Sequence, residues 1–172
     1  ELVYPIGEPY KLCTFSRVMK EKGIGDAVEV VKAINNELGR TAFELDIYGQ
    51  IDDGQVEWFD ELKASFPDYI RYKGLVPFDR SVEVLKNYTA LLFPTFYEGE
   101  GFAGTIMDSF AAGIPVVSSD WKYNAEIIQP HINGLLFETK NQTALMECLK
   151  YIYENIDAFN KMKENCLRIA EK

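Results

Sequence analysis

Histidine is almost missing from this chain of 172 residues, where His131 stands alone. That scarcity excludes a histidine-rich metal site and a local Ser-His-Asp triad. Cysteine is sparse as well. Cys13, Cys148 and Cys166 are odd in number, widely spaced and without a C-x-x-C pair, so they read as packing residues of a reducing compartment. No apolar run reaches spanning length and no stretch reads as a signal peptide, so neither a transmembrane segment nor export is predicted. Positive charge is in the minority, with 18 Lys and Arg against 27 Asp and Glu. The resulting net charge of -9 argues against a nucleic-acid surface. It does not exclude a phosphate ligand, because a few convergent donors outweigh the global field locally.

What is present is the composition of a packed domain, 47% hydrophobic and 13% aromatic. The length predicts one domain over residues 1–172. The first residue is Glu1 and not Met, which leads us to expect a piece of a longer protein. Short apolar segments alternate with stretches of helical period. "YKLCTFSR" from Tyr10 is β-prone, and a loop with Gly23 and Gly25 follows it. Asp26 is the expected N-cap of the next helix, in which Val28, Val31, Ile34 and Leu38 recur near helical spacing. Strands are predicted at "FELDIYG", "YIRYKGL", "ALLFP", "PVVSS" and "GLLF". Helices are predicted around Val56–Phe66, from Pro77 to Tyr88, over Thr105–Ala112, near Asn124–Ile128 and through the C-terminal region. Alternation of this kind predicts an α/β doubly wound, Rossmann-like parallel sheet of about six strands. Ligands of such sheets bind beyond the carboxyl ends of the strands.

The most unusual loop lies in "FYEGEGFAGTIMDSFAAG", Phe96 to Gly113, where Gly99, Gly101 and Gly104 spell G-x-G-x-x-G. A dinucleotide fingerprint sits directly after a strand, normally the first of the sheet. Here Pro94 to Glu98 intervene, the strand is the fourth, and Glu100 places a charge where a pyrophosphate would approach. The dinucleotide reading therefore fails. A glycine-bearing loop that opens a helix still exposes N–H groups at the positive end of the helix dipole. The amides from Phe102 to Ile106 can cradle a phosphate, Glu100 can accept from sugar hydroxyls, and Asp108 can accept from a ribose diol. Such a site would hold a sugar nucleotide.

Glu100, seven residues and then Asp108, followed by "SFAAGIPVVSSD" and "NAEII", resembles the E-x7-E region of retaining GT-B glycosyltransferases of family 4. The likeness is closest to bacterial enzymes of capsular and exopolysaccharide synthesis. "SRVMKEKG", "FELDIYG", "IRYKGLVP" and "INGLLFE" are similar to further segments of that family, in order, over about residues 10 to 155. The resemblance implies the donor-binding, C-terminal half of a GT-B enzyme that moves a sugar from a UDP- or GDP-sugar to a glycan or lipid-linked acceptor. It implies that Arg17 and Lys22 contact the donor diphosphate and Glu100 the transferred sugar, as the catalytic set. Donor binding would involve Gly101, Phe102, Ala103, Gly104, Thr105 and Asp108, with Val76 near the base. It further implies no cofactor, no metal, no nucleic-acid partner and a cytoplasmic setting, and leaves peripheral association of a longer protein with the membrane open. The acceptor domain would precede Glu1, and this half alone would turn nothing over.

Two departures stand out. Ser16 replaces the family's glycine before the arginine, and Asp108 is one methylene shorter than the commoner glutamate. Glu98 rivals Glu100 for the sugar contact. Trp121, Lys122 and His131 read as surface, packing or turn residues. A sugar-nucleotide-binding module without catalysis, and a GT-B relative such as an epimerase or phosphorylase, are the alternatives.

Overall fold

A computed structural model describes residues 2, 4, 7–101 and 103–172 of the chain. Six parallel strands form one sheet: β1 (Tyr10–Phe15), β2 (Phe43–Tyr48), β3 (Ile70–Gly74), β4 (Ala90–Phe93), β5 (Val116–Ser119) and β6 (Gly134–Phe137). Their spatial order is β3-β2-β1-β4-β5-β6. The chain thus winds outward on one side of β1, returns to pair β4 with β1 at Leu12–Ala90 and Cys13–Leu91, and winds outward on the other side. The reversal opens a crevice beyond the carboxyl ends of β1 and β4, where their following loops part in opposite directions.

The intervening helices are α1 (Ile24–Leu38), α2 (Val56–Ala64), α3 (Ser81–Leu85), α4 (Gly104–Ala111), α5 (Asn124–Ile127), α6 (Gln142–Glu154) and α7 (Ile156–Ala170). Strand alternation divides the interior into two cores, because successive side chains leave opposite faces. Leu12, Phe43, Leu45, Ile47 and Leu92 pack with α1, α2 and α6 on one face. Cys13, Tyr48, Leu91, Phe93 and Val116 pack with α3 and α4 on the other. Helix α7 contributes Phe159 and Met162 to the first core and Cys166 to the second. Among the described residues no helix is long and apolar enough to cross a membrane.

Three boundaries differ from the sequence expectation. Helix α1 begins two residues before Asp26, capped by Gly23, so Asp26 is a first-turn acid and Gly25 is helical. Tertiary packing explains the shift: Ile24 is fully buried and draws the helix start inward. Residues Phe78–Arg80 form a 3₁₀ turn, and α3 ends at Leu85, short of Tyr88. Tyr88 serves instead in a buried network, with its hydroxyl donating to Asp46 Oδ2 at 2.6 Å and lying 2.6 Å from the Tyr48 hydroxyl.

At the end of the sheet away from the crevice, Lys163 of α7 is 1% exposed. Its ammonium donates to the carbonyls of Tyr88 and Gly113 at 3.5 Å, and burial pulls its pKa down to about 8. The unfolded chain holds that proton up to 10.5, the ordinary lysine value, so Lys163 makes stability rise with pH from about 8 to 10.5. The thiols of Cys148 and Cys166, pushed up to about 12 by burial, act oppositely from pH 9 upward. Comparing Lys163→Met with the parent chain isolates the lysine. The variant is expected to be more stable at pH 7 by about 1–3 kcal/mol, with the gap closing as pH rises through that window. Urea unfolding at pH 7 and pH 9.5 measures it.

Candidate functional site

The loop after β1 carries Ser16 and Arg17, then a 3₁₀ turn at Lys20–Lys22 that passes into α1. The loop after β4 carries Pro94 to Gly101 and leads into α4. These two loops are joined directly. Phe96 N–H donates to the Glu21 carbonyl at 2.8 Å, and Lys22 Nζ donates to Glu100 Oε1 at 2.8 Å. The Lys22 and Glu100 side chains are 12% and 9% exposed, so this is a largely desolvated ion pair. Lys22 Nζ also stands 5.0 Å from the ring centre of Tyr97, a cation–π contact.

Between the loops lies a cavity of about 200 Å³. Phe15 and Phe93, at the ends of β1 and β4, line it, and Ser16, Arg17 and Lys22 supply one wall. Glu100 and the start of α4, Ala103 to Thr105, supply the other. Thr105 Oγ1 is buried there with no hydrogen-bond partner among the described residues. Arg17 is half exposed, and its guanidinium pairs with Asp52 Oδ1 at 3.1 Å. Each cation of the cavity is therefore neutralised by a carboxylate of the same chain.

Sequence-predicted residues separate into three groups. Arg17, Lys22, Glu100, Ala103, Gly104 and Thr105 converge on the cavity. Asp108, Val76 and Gly101 do not line it. Asp108 sits half-buried on α4, where burial holds its carboxyl above the ordinary aspartate range. Val76 lies in the loop after β3 and packs partly against the second core, and Gly101 is exposed. Phe102 lies outside the described residues. Of the expected amide cradle, Ile106 N–H is already committed to the Ala103 carbonyl at 3.1 Å, so its backbone closes the first turn and faces no ligand.

Glu98 and Glu100 part company in the fold. Glu100 N–H donates to the Tyr97 carbonyl at 3.0 Å, closing a turn that throws Glu98 outward, 83% exposed and paired with Lys122 at 3.2 Å. Trp121 and Lys122 are packing and surface residues, as expected, and their contacts have a specific structural part. Trp121 Nε1 donates to the Tyr97 carbonyl at 2.7 Å, and Lys122 adopts a left-handed φ of 51° while holding Glu98. The β5–α5 loop thereby braces the β4–α4 loop. The available signal was an indole placed in a polar loop directly beyond a buried strand. His131 is a turn residue as expected, its N–H donating to the Gly134 carbonyl at 2.8 Å.

A larger hollow of about 390 Å³ lies between β6 and α6, lined by apolar residues such as Leu135, Phe137 and Cys148. It has no convergent cations and sits at the sheet edge, away from the switch point. The smaller polar cavity is the candidate site.

A family model described as glycosyl transferases group 1 matches residues 9–155. The GtfA subunit of UDP-N-acetylglucosamine–peptide N-acetylglucosaminyltransferase from Streptococcus pneumoniae serotype 4 is 31% identical over 137 residues, 78% of this chain and 25% of that protein. Amylovoran biosynthesis glycosyltransferase AmsK from Erwinia amylovora is 25% identical over 154 residues, 83% of this chain and 35% of that protein. Among solved structures, pneumococcal O-GlcNAc transferase GtfA in complex with UDP and GlcNAc has a TM-score of 0.77 at 26% identity, covering 96% of this chain and 33% of that one. The chain thus spans about a quarter to a third of the length of these relatives. With the family match running from β1 to the end of α6, the chain belongs to the group 1 glycosyl transferases, and its sheet is a Rossmann-like half of the GT-B architecture.

Proposed function

We propose that this chain binds the donor of a retaining glycosyltransferase, a UDP- or GDP-sugar whose sugar passes to a glycan or lipid-linked acceptor in surface polysaccharide synthesis. The observation that carries the reading is the convergence of Arg17, Lys22, Glu100 and the start of α4 at Gly104 and Thr105 on one cavity at the switch point of the sheet. Uridine is the favoured base, since relatives are named for UDP-N-acetylglucosamine or were solved with UDP. The polysaccharide setting draws on the amylovoran enzyme. In this reading the enzyme works on the cytoplasmic side of the membrane.

The roles follow from the charge that develops. As the bond from the anomeric carbon to the diphosphate oxygen breaks, negative charge grows on the leaving diphosphate. Arg17 and Lys22, with the amides of Ala103, Gly104 and Thr105 at the start of α4, stabilise that charge. Glu100 accepts hydrogen bonds from the sugar hydroxyls. Asp108 takes the ribose diol, its raised affinity for a proton relieved by two donated bonds. Gly101 keeps the loop beside Glu100 free of side-chain bulk, and the backbone at Val76 borders the base. Two protein cations replace the divalent ion that neutralises diphosphate in other enzymes, so binding is metal-independent.

Calorimetric titration with UDP, GDP and NAD in EDTA tests the reading. Saturable UDP or GDP binding that persists in EDTA is expected, weakened roughly 10-fold by Arg17→Ala through loss of one charge-assisted contact. Binding of NAD with no response to UDP or GDP would sink it.

A further inference from the structure

Thr95 is fully buried two residues beyond the end of β4, and both its hydroxyl and its carbonyl are engaged. Its Oγ1 lies 2.7 Å from Glu100 Oε1 and 3.4 Å from the Glu21 carbonyl. A hydroxyl has one proton, and the shorter, charge-assisted partner takes it. The same oxygen accepts the Tyr97 N–H at 3.1 Å, which occupies one of its two lone pairs. The Thr95 carbonyl accepts from Ser119 Oγ at 2.7 Å, and the Ser119 carbonyl accepts from Asn124 Nδ2 at 3.2 Å. A continuous buried polar chain therefore runs from α5 through β5 to the Glu100 carboxylate.

Its effect at Glu100 is specific. Lys22 and Thr95 both donate to Oε1, and among the described residues no partner is assigned to Oε2. One carboxylate oxygen is tied down twice while the other stays available as an acceptor. Lys22 is on the opposite loop and, in the reading above, is drawn toward the diphosphate when ligand enters. Thr95 belongs to the same β4–α4 loop as Glu100 and remains.

We propose that Thr95 is a positioning residue that presents Glu100 Oε2 to the transferred sugar and so sets how much tighter the sugar nucleotide binds than the bare nucleotide; this rests on the donor-binding reading. Loss of the hydroxyl lets the carboxylate rotate and spreads its acceptor direction, while the diphosphate contacts of Arg17 and Lys22 stay in place. The penalty falls on the sugar.

The test is calorimetry of the parent chain, Thr95→Val and Thr95→Ser with UDP and with UDP-glucose, UDP-galactose and UDP-N-acetylglucosamine. Valine keeps the volume of the buried side chain, and serine keeps the hydroxyl. Urea unfolding of both variants establishes that they fold. The parent is expected to bind one UDP-sugar more tightly than UDP. In Thr95→Val that preference falls about 10-fold while UDP affinity changes less than about 2-fold, and Thr95→Ser keeps it. An equal loss for UDP and UDP-sugar in Thr95→Val, an unchanged preference, or a Thr95→Ser variant that behaves like valine overturns the positioning role and leaves donor binding standing. A parent chain that binds UDP but no UDP-sugar more tightly also overturns it. A parent chain that binds no uridine nucleotide fails the donor reading itself, and the role of Thr95 falls with it.

Discussion

Lys22→Met is expected to abolish saturable UDP binding and to lower folding stability by about 2–3 kcal/mol. The two losses have different origins. Binding fails because Lys22 is the buried cation of the cavity wall, and Arg17, half exposed and shared with Asp52, cannot replace a desolvated charge. Stability falls because Glu100, only 9% exposed, would keep its negative charge with Thr95 as the remaining donor. Methionine preserves most of the stem that packs beside Phe93 and Tyr97, so lost packing contributes little. A second substitution separates the effects. Lys22→Met with Glu100→Gln removes the stranded charge and should recover most of the stability, yet it should not recover binding. Urea unfolding and calorimetry on the single and double variants measure both quantities. A single variant of parental stability would show that the pair is solvated and not buried as described.

Gly23→Ala should cost more than about 3 kcal/mol, whereas Gly25→Ala, two residues on, should be neutral or stabilising by up to about 1 kcal/mol. Gly23 has a φ of 74°, closes the Lys20–Lys22 turn and caps α1. A Cβ there would lie 2.0 Å from the Pro94 carbonyl oxygen and 2.7 Å from its carbon. That obstacle is backbone, so relief requires moving the β4–α4 loop that carries Thr95 and Glu100. Loss of UDP affinity should accompany the loss of stability. At Gly25 an added Cβ meets nothing within 4 Å, and the residue is already helical. Thermal unfolding of the two variants side by side reads the contrast, and equal shifts would refute the close approach of the two loops.

How much of this was legible beforehand differs from residue to residue. The strands were, since "ALLF" is a short apolar run, and "VVSS" a short one opening on β-branched valine, of the kind that a sheet covered on both faces accommodates. Arg17, Lys22 and Glu100 were legible through the spacing that resembles the glycosyltransferase family. The outward turn of Glu98 was not, because it depends on a hydrogen bond across three residues and on Lys122 in another loop. Trp121 escaped for the same reason: its partner is a carbonyl 24 positions earlier. Thr95 escaped because a lone threonine after a proline carries no periodic signal, and its partners, Glu100 and Tyr97 in its own loop and Ser119 in β5, are brought to it by the fold.

Sequence by itself determined the class of fold, the alternation of its elements and the charged residues available to a ligand. Those follow from local period, turn chemistry and residue type, which neighbours along the chain decide. Only the tertiary structure decided that β4 lies beside β1, and with it that Lys22 meets Glu100 across 78 positions of sequence. The physical reason is that a desolvated ion pair, a close backbone approach and a buried hydroxyl chain are properties of juxtaposition. They exist once the sheet reverses its winding and brings the two loops to one crevice.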